Sequence, residues 1–280
     1  MKAGSVGSNP NGATSPGARP IQPLRELLVA VGEAVANLNT TVVGLDAVER
    51  GHEKPETLNI SWNPQDRVAA ARKSRRFVLE AVLVRVAEAL SEFVTATAQL
   101  PRFSSVRSRW DSNTTRADKL ADVAAELLGS GNHLVAGAAL LVHWRNRAVH
   151  PRSRASLTPQ QMRNLRSASA EIDSSFAGLS VDRLLNDFEI GHPTLKDISS
   201  LIAMSIRMAR EMDKAVNFLS KDELDILLEY YGLTARISEI NAQTTPCKRQ
   251  ASVLRLLQSS APGLMEAYSR LQPSAARHGE

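Results

Sequence analysis

The sequence predicts an all-α fold, and three observations predict it. Apolar residues recur three and four positions apart through most of the 280-residue chain, which is the period of one helix face. Helix-start signals punctuate the chain, among them Asn63-Pro64, Thr158-Pro159 with Gln161, and Ser220 with Glu223. There a polar side chain can take up amide protons that a first helical turn leaves unpaired. No segment alternates apolar and polar residues for long enough to demand a sheet. Leu58, Ile60 and Trp62 do alternate, but over too short a stretch.

Taken in order, residues 1–20 are rich in Gly, Ser, Pro and Asn, hold almost nothing to bury, and are expected to form a disordered tail. Pro23 suits a first helical turn, and Leu24, Leu27, Leu28, Val31, Val35 and Leu38 form the stripe of a first helix. From Thr40 to Trp62 the period fails, so a packed connector is expected. A second helix is expected from Asp66 to Leu100, with Val78, Val82, Val86, Leu90 and Phe93 on one face. Pro101 ends it, because the residue before a proline is pushed out of the helical region. Helices follow from about Arg116 to Leu128 and from about Asn132 to Val149, separated by Gly129, Ser130 and Gly131. The second of these has a small, apolar body and is closed by Pro151. Thr158 and Gln161 open a helix that buries Leu165, Ile172 and Phe176. Thr194 caps a long one with Ile198, Leu201, Ile202, Met208, Met212 and Val216 on one face. Ser220 and Glu223 begin the next, Gly232 stops it, and Pro246 and Pro262 start two short ones. The chain thus divides into a tail over 1–20, a helical bundle over 21–185 and a C-terminal helical region over 186–280.

With 43% hydrophobic and 22% charged residues, the chain can bury an ordinary core. Cys247 is the only cysteine, which excludes an internal disulfide and a cysteine-built zinc site and points to a reducing cytoplasm. The longest apolar run, Leu134 to Val142, is nine residues against the ~20 that span a bilayer, so neither secretion nor a membrane partner is expected. Lys and Arg number 34 against 29 Asp and Glu, a net charge of +5. The excess is concentrated: from Gly131 to Arg166 the chain carries Arg145, Arg147, Arg152, Arg154, Arg163 and Arg166 and no acidic residue. Such a block either solvates a helix face or forms the footprint of a phosphate backbone. There is no Gly-rich phosphate loop, no HExxH pair, no GxSxG elbow and no Cys and His pairing at metal spacing, so no metal or cofactor is expected. His52 and His278 fall in loop or tail sequence, His192 precedes a helix-starting proline and His133 opens a helix. All four read as solvated or capping histidines.

The other two histidines belong to Leu141-Val142-His143-Trp144-Arg145-Asn146-Arg147-Ala148-Val149-His150-Pro151. Cleaving RNA without a metal needs a group to take the 2′-hydroxyl proton and donors for the charge that builds on the phosphate. Imidazole and guanidinium suit those tasks. His150 is therefore the candidate acid/base and Arg145 the candidate phosphate clamp. Asn146, four residues before His150, shares its helix face and can orient the imidazole or touch the scissile phosphate. Arg145 points about 140° away from His150, so the two converge only if the helix deforms near Pro151 or a second chain completes the site. His143, nearly on the face of His150, is either a packing histidine or a substrate contact. Trp144 is either core or a base-stacking platform. Arg147, Arg152 and Arg154 are candidate RNA-backbone contacts or a solvated basic face.

Arg145, the polar Asn146 beside it, and His150 after four intervening residues resemble the signature of the HEPN superfamily, all-α domains many of which cleave RNA. The resemblance covers roughly residues 60–180. It implies a metal-independent endoribonuclease that leaves a cyclic phosphate and acts as a toxin or as an antiphage or stress defence effector. It also implies a homodimer whose two motifs face one cleft. In HEPN toxins silenced by nucleotide modification a tyrosine stands two places after the histidine, whereas here that position is Arg152, so that mode of control is not implied. Ser220 to Leu271 resembles the small death-like or effector-associated adaptor domains of bacterial defence proteins, which implies a protein partner. It reads equally as a helical extension covering the first bundle. The alternative for the whole chain is a non-catalytic helical adaptor or nucleic-acid-binding module that uses its arginines for phosphate contact alone.

Overall fold

A computed structural model of the chain describes residues 22–150, 152–217, 219–243 and 245–271. The expected tail over 1–20, the helix-ending Pro151 and His278 lie outside the described residues. Among the described residues there are thirteen α-helices, two short 3-10 turns and no strand, so the fold is all-α.

Helix α1 spans Gln22–Glu49 and α2 spans Arg67–Ala98. The first extends well past the expected end near Thr40, which corrects the connector expected there. Thr40 and Thr41 turn their hydroxyls back onto the carbonyls of Ala36 (3.0 Å) and Asn37 (2.8 Å), which satisfies these polar groups inside the continuing helix. Glu49, at the far end of α1, then meets Arg72 (3.0 Å) and Arg75 (3.3 Å) near the start of α2. The two helices thereby form a long hairpin. Leu24, Leu27, Val31, Ala34 and Leu38 of α1 are buried at helical spacing, while Val29 and Val43 remain outside. By length and composition α1 is also apolar enough to cross a membrane, with a mean hydropathy of 1.4, a property shared by core helices of soluble proteins.

After a 3-10 turn at Pro101–Phe103 come α3, Ser104–Arg107, and α4, Arg116–Leu128, which opens on a capping box of Thr115 and Asp118. Helix α5, His133–Val149, is capped by Asn132, whose side chain accepts the Leu134 amide proton at 2.8 Å. Helices α6 (Pro159–Ser167) and α7 (Ser169–Ser175) meet the start of α5 through Asn164–Ser130 (2.9 Å) and Glu171–His133 (3.7 Å), and α8 (Val181–Ile190) meets its last turns through Phe188. Gly191 closes α8 in the left-handed region at φ +70°, where a side chain would be strained. Helix α9, Leu195–Asn217, falls in the C-terminal region of the chain yet packs along α5 and α4. Helices α10 (Lys221–Tyr230), α11 (Thr234–Gln243), α12 (Pro246–Ser260) and α13 (Met265–Leu271) form a smaller cluster. Arg102–Glu223 (3.5 Å) ties that cluster to the turn after α2, and one continuous core joins Leu24 to Tyr268.

The centre of this arrangement is α5. Every residue from Leu134 to Val142 is buried, as expected of a helix that is apolar on all sides. Its small residues let α9 approach closely: a Cβ on Gly137 would lie 2.8 Å from the Met204 sulfur, with the terminal methyl of that side chain closer still. Gly137→Val is expected to lower stability by about 1–3 kcal/mol through overpacking at α5 and α9. A urea unfolding curve checks this, and an unchanged midpoint would contradict the packing.

Candidate functional site

The last two turns of α5 are where the helix leaves the core. Trp144 is still inside, 2% exposed, and meets Phe188 of α8 edge-on at 5.4 Å and 76°. It is a packing residue rather than a platform for a base. His143 is partly buried, and its Nδ1 is enclosed with no hydrogen-bond partner. Burial pushes its imidazole below the ordinary histidine range, Asp118 offsets part of this and Arg147 adds to it. His143 thus sits partly buried where α5 faces α4.

Arg145 is drawn inward by a carboxylate. Its Nη2 donates to Glu88 Oε1 of α2 at 2.6 Å, and its Nη1 donates to Asn146 Oδ1 at 3.2 Å. The side chain is 15% exposed. Arg116, the first residue of α4, donates to the same Oε1 of Glu88. One carboxylate oxygen therefore holds two guanidinium groups from two helices. Burial raises the Glu88 carboxyl, but Arg116 and Arg145 outweigh it, and the group sits below its usual range. Glu88 and Arg116 are the residues that sequence reasoning missed. The usable signal was an imbalance: the Arg145 block contains no acid, and Glu88 is a lone carboxylate between the buried pairs Val86-Ala87 and Ala89-Leu90 of α2.

His150 ends α5 as its cap, in extended conformation at φ −121° and ψ 93°. Its amide donates to the Asn146 carbonyl at 2.9 Å, its carbonyl accepts from Ser153 at 2.7 Å, and its side chain is exposed. The helix has already given way at His150, so the ring is released from the strict 100° progression. No hydrogen bond joins Arg145 to His150 among the described residues. Arg145 and Asn146 are brought together with Glu88, and His150 stands beyond them on the surface.

The other arginines have separate fates. Arg147 donates to the carbonyls of Ala155 (2.7 Å) and Phe188 (3.1 Å), lies 3.8 Å above the Phe188 ring and approaches Glu189 at 3.4 Å. Its guanidinium fastens the segment after α5 to α8. Arg152 and Arg154 are exposed on that segment. Among the described residues, no group of three or more His, Cys, Asp or Glu side chains could hold a metal ion. Clefts of about 120 Å3 lie apart from the motif, one lined by Leu100, Leu227, Tyr231 and Leu264 and another by Pro101, Leu219 and Ile226. No family model, curated protein or solved structure matches the chain.

Arg147→Ala leaves two carbonyls without their donor and is expected to destabilise the fold by about 1–3 kcal/mol, whereas Arg152→Ala should stay within about 0.5 kcal/mol of wild type. Equal urea midpoints for the two variants would contradict the structural role of Arg147.

Proposed function

We propose that this chain is a HEPN-like endoribonuclease that acts in the cytoplasm as a toxin or defence effector. One observation carries the reading: a buried helix surfaces only at its end, and there it presents Arg145, Asn146 and an exposed His150, followed directly by the exposed Arg152 and Arg154. A cationic edge of this kind attracts a phosphate backbone, and an exposed imidazole beside it has access to a 2′-hydroxyl. In this reaction His150 takes the 2′-hydroxyl proton as that oxygen attacks the adjacent phosphorus. The P–O5′ bond breaks, the leaving oxygen takes up a proton, and a cyclic phosphate remains on the upstream fragment. Arg145 balances the charge that builds on the nonbridging oxygens, and Asn146 keeps the Arg145 guanidinium in place through its 3.2 Å hydrogen bond.

Arg145 is engaged by Glu88 and Asn146 while His150 stands exposed as the cap of α5, an arrangement that supports a homodimer in which each motif is completed across a shared cleft. Val43 of α1 and Phe77 of α2, both about 70% exposed, supply apolar surface for such contacts. The C-terminal cluster, with Ile226 and Tyr230 exposed on α10, is the part suited to a protein partner.

Purified protein incubated with mixed cellular RNA is expected to cleave it in the presence of a chelator. His150→Ala should reduce cleavage at least ~100-fold, with an unchanged far-ultraviolet circular dichroism spectrum. Undiminished cleavage by His150→Ala would remove the assignment. RNA binding without turnover, falling steeply with salt, would favour the non-catalytic binding module.

A further inference from the structure

We infer that the phosphate clamp of this chain is a pair of arginines, Arg145 and Arg116, set side by side by the Glu88 carboxylate, so that Arg116 is an RNA-contacting residue and Glu88 a positioning residue. The inference rests on the nuclease reading and names what binds the phosphodiester there.

Three features of the structure carry it. Arg116 and Arg145 both donate to Oε1 of Glu88, so their Nη atoms are close enough for the two nonbridging oxygens of one phosphodiester to bridge them. Two guanidinium groups on one carboxylate leave a positive charge uncompensated. Asp118, the nearest further carboxylate on α4, is turned back onto the amide and hydroxyl of Thr115, at 3.0 and 2.6 Å. It also closes the amide end of α4, so the arginine side chains rather than the helix terminus form the anion site.

Accessibility then separates the two arginines. Arg145 is 15% exposed and spends donors on Glu88 and Asn146, whereas Arg116 is 46% exposed and, among the described residues, donates to Glu88 alone. Arg116 is the more open half of the pair. Its position follows from the topology: α4 and α5 are joined by the short turn at Gly129–Asn132, so the first residue of α4 lies beside the last turns of α5. Residues 116 and 145 are far apart in sequence, and only this hairpin brings Arg116 to the end of the bundle that carries His150.

Glu88 has a double effect. Its charge competes with the incoming phosphate, and its fixed position removes the rotamer freedom of two long side chains before substrate arrives. Removing the charge while keeping the shape should therefore strengthen binding and weaken turnover.

The test measures RNA affinity at several salt concentrations, together with kcat and KM, for full-length wild type, Arg116→Gln, Arg116→Lys and Glu88→Gln, each checked by circular dichroism. Arg116→Gln should bind roughly tenfold more weakly and flatten the slope of log K against log salt by about 0.7. Arg116→Lys should restore the slope. Glu88→Gln should lower KM and kcat together, a split that loss of stability alone would not produce. Wild-type slope and affinity in Arg116→Gln, or unchanged KM and kcat in Glu88→Gln, would overturn the inference while the cleavage of RNA stands. If wild type binds RNA with an Arg116-dependent slope but does not cleave it, the nuclease reading falls and the arginine pair stands as a phosphate site. If wild type binds no RNA, both fall.

Discussion

The burial of α5 on every side is the constraint from which the rest follows. A helix whose body is Leu134 to Val142, with alanines and a glycine on the faces that neighbours approach, is stable only when surrounded. Helices α2, α4 and α9 supply the surroundings. Such a helix can carry polar chemistry only at its ends. The first end is sealed by Asn132, and the second carries the motif.

Burial also decides what becomes of the basic residues. A guanidinium at the margin of a core loses hydration and needs a compensating carboxylate, and Glu88 provides one for Arg145 at 2.6 Å. Arg147 finds compensation in backbone carbonyls and an aromatic ring, which turns a charge into a fastening between α5 and α8. Only after His150, where the backbone is extended, do Arg152 and Arg154 stand free on the surface. What reads in sequence as one cationic block is therefore three environments within ten residues: an ion cluster, a structural clasp and an exposed edge.

Much of the fold was legible because its signals are local. The capping boxes at Thr158 and Ser220, the cap at Thr194 and the small-residue body of α5 all form where the sequence places them. The extension of α1 was not legible, because Thr40 to Val43 disfavour helix by propensity. Their continuation depends on tertiary packing, as α1 lies along α2 and Glu49 reaches across to Arg72 and Arg75. Asn164, buried in α6, donates to the Ser130 carbonyl at 2.9 Å and so steadies the turn between α4 and α5, a contact that no spacing rule reveals. At the site, Arg145, Asn146 and His150 were legible as a motif, and the angular gap between Arg145 and His150 was legible from helix geometry. The Glu88 cluster was not, since it joins residues 57 and 28 positions apart in sequence.

The central chemical claim is that an RNA 2′-hydroxyl is the nucleophile and the end of α5 is where it reacts. It is tested most directly by offering the protein one RNA sequence in two forms, unmodified and with every 2′-hydroxyl methylated, in chelator. The expected result is cleavage of the first to fragments ending in cyclic phosphate, with the second bound but intact. Cleavage of both at similar rates would contradict it.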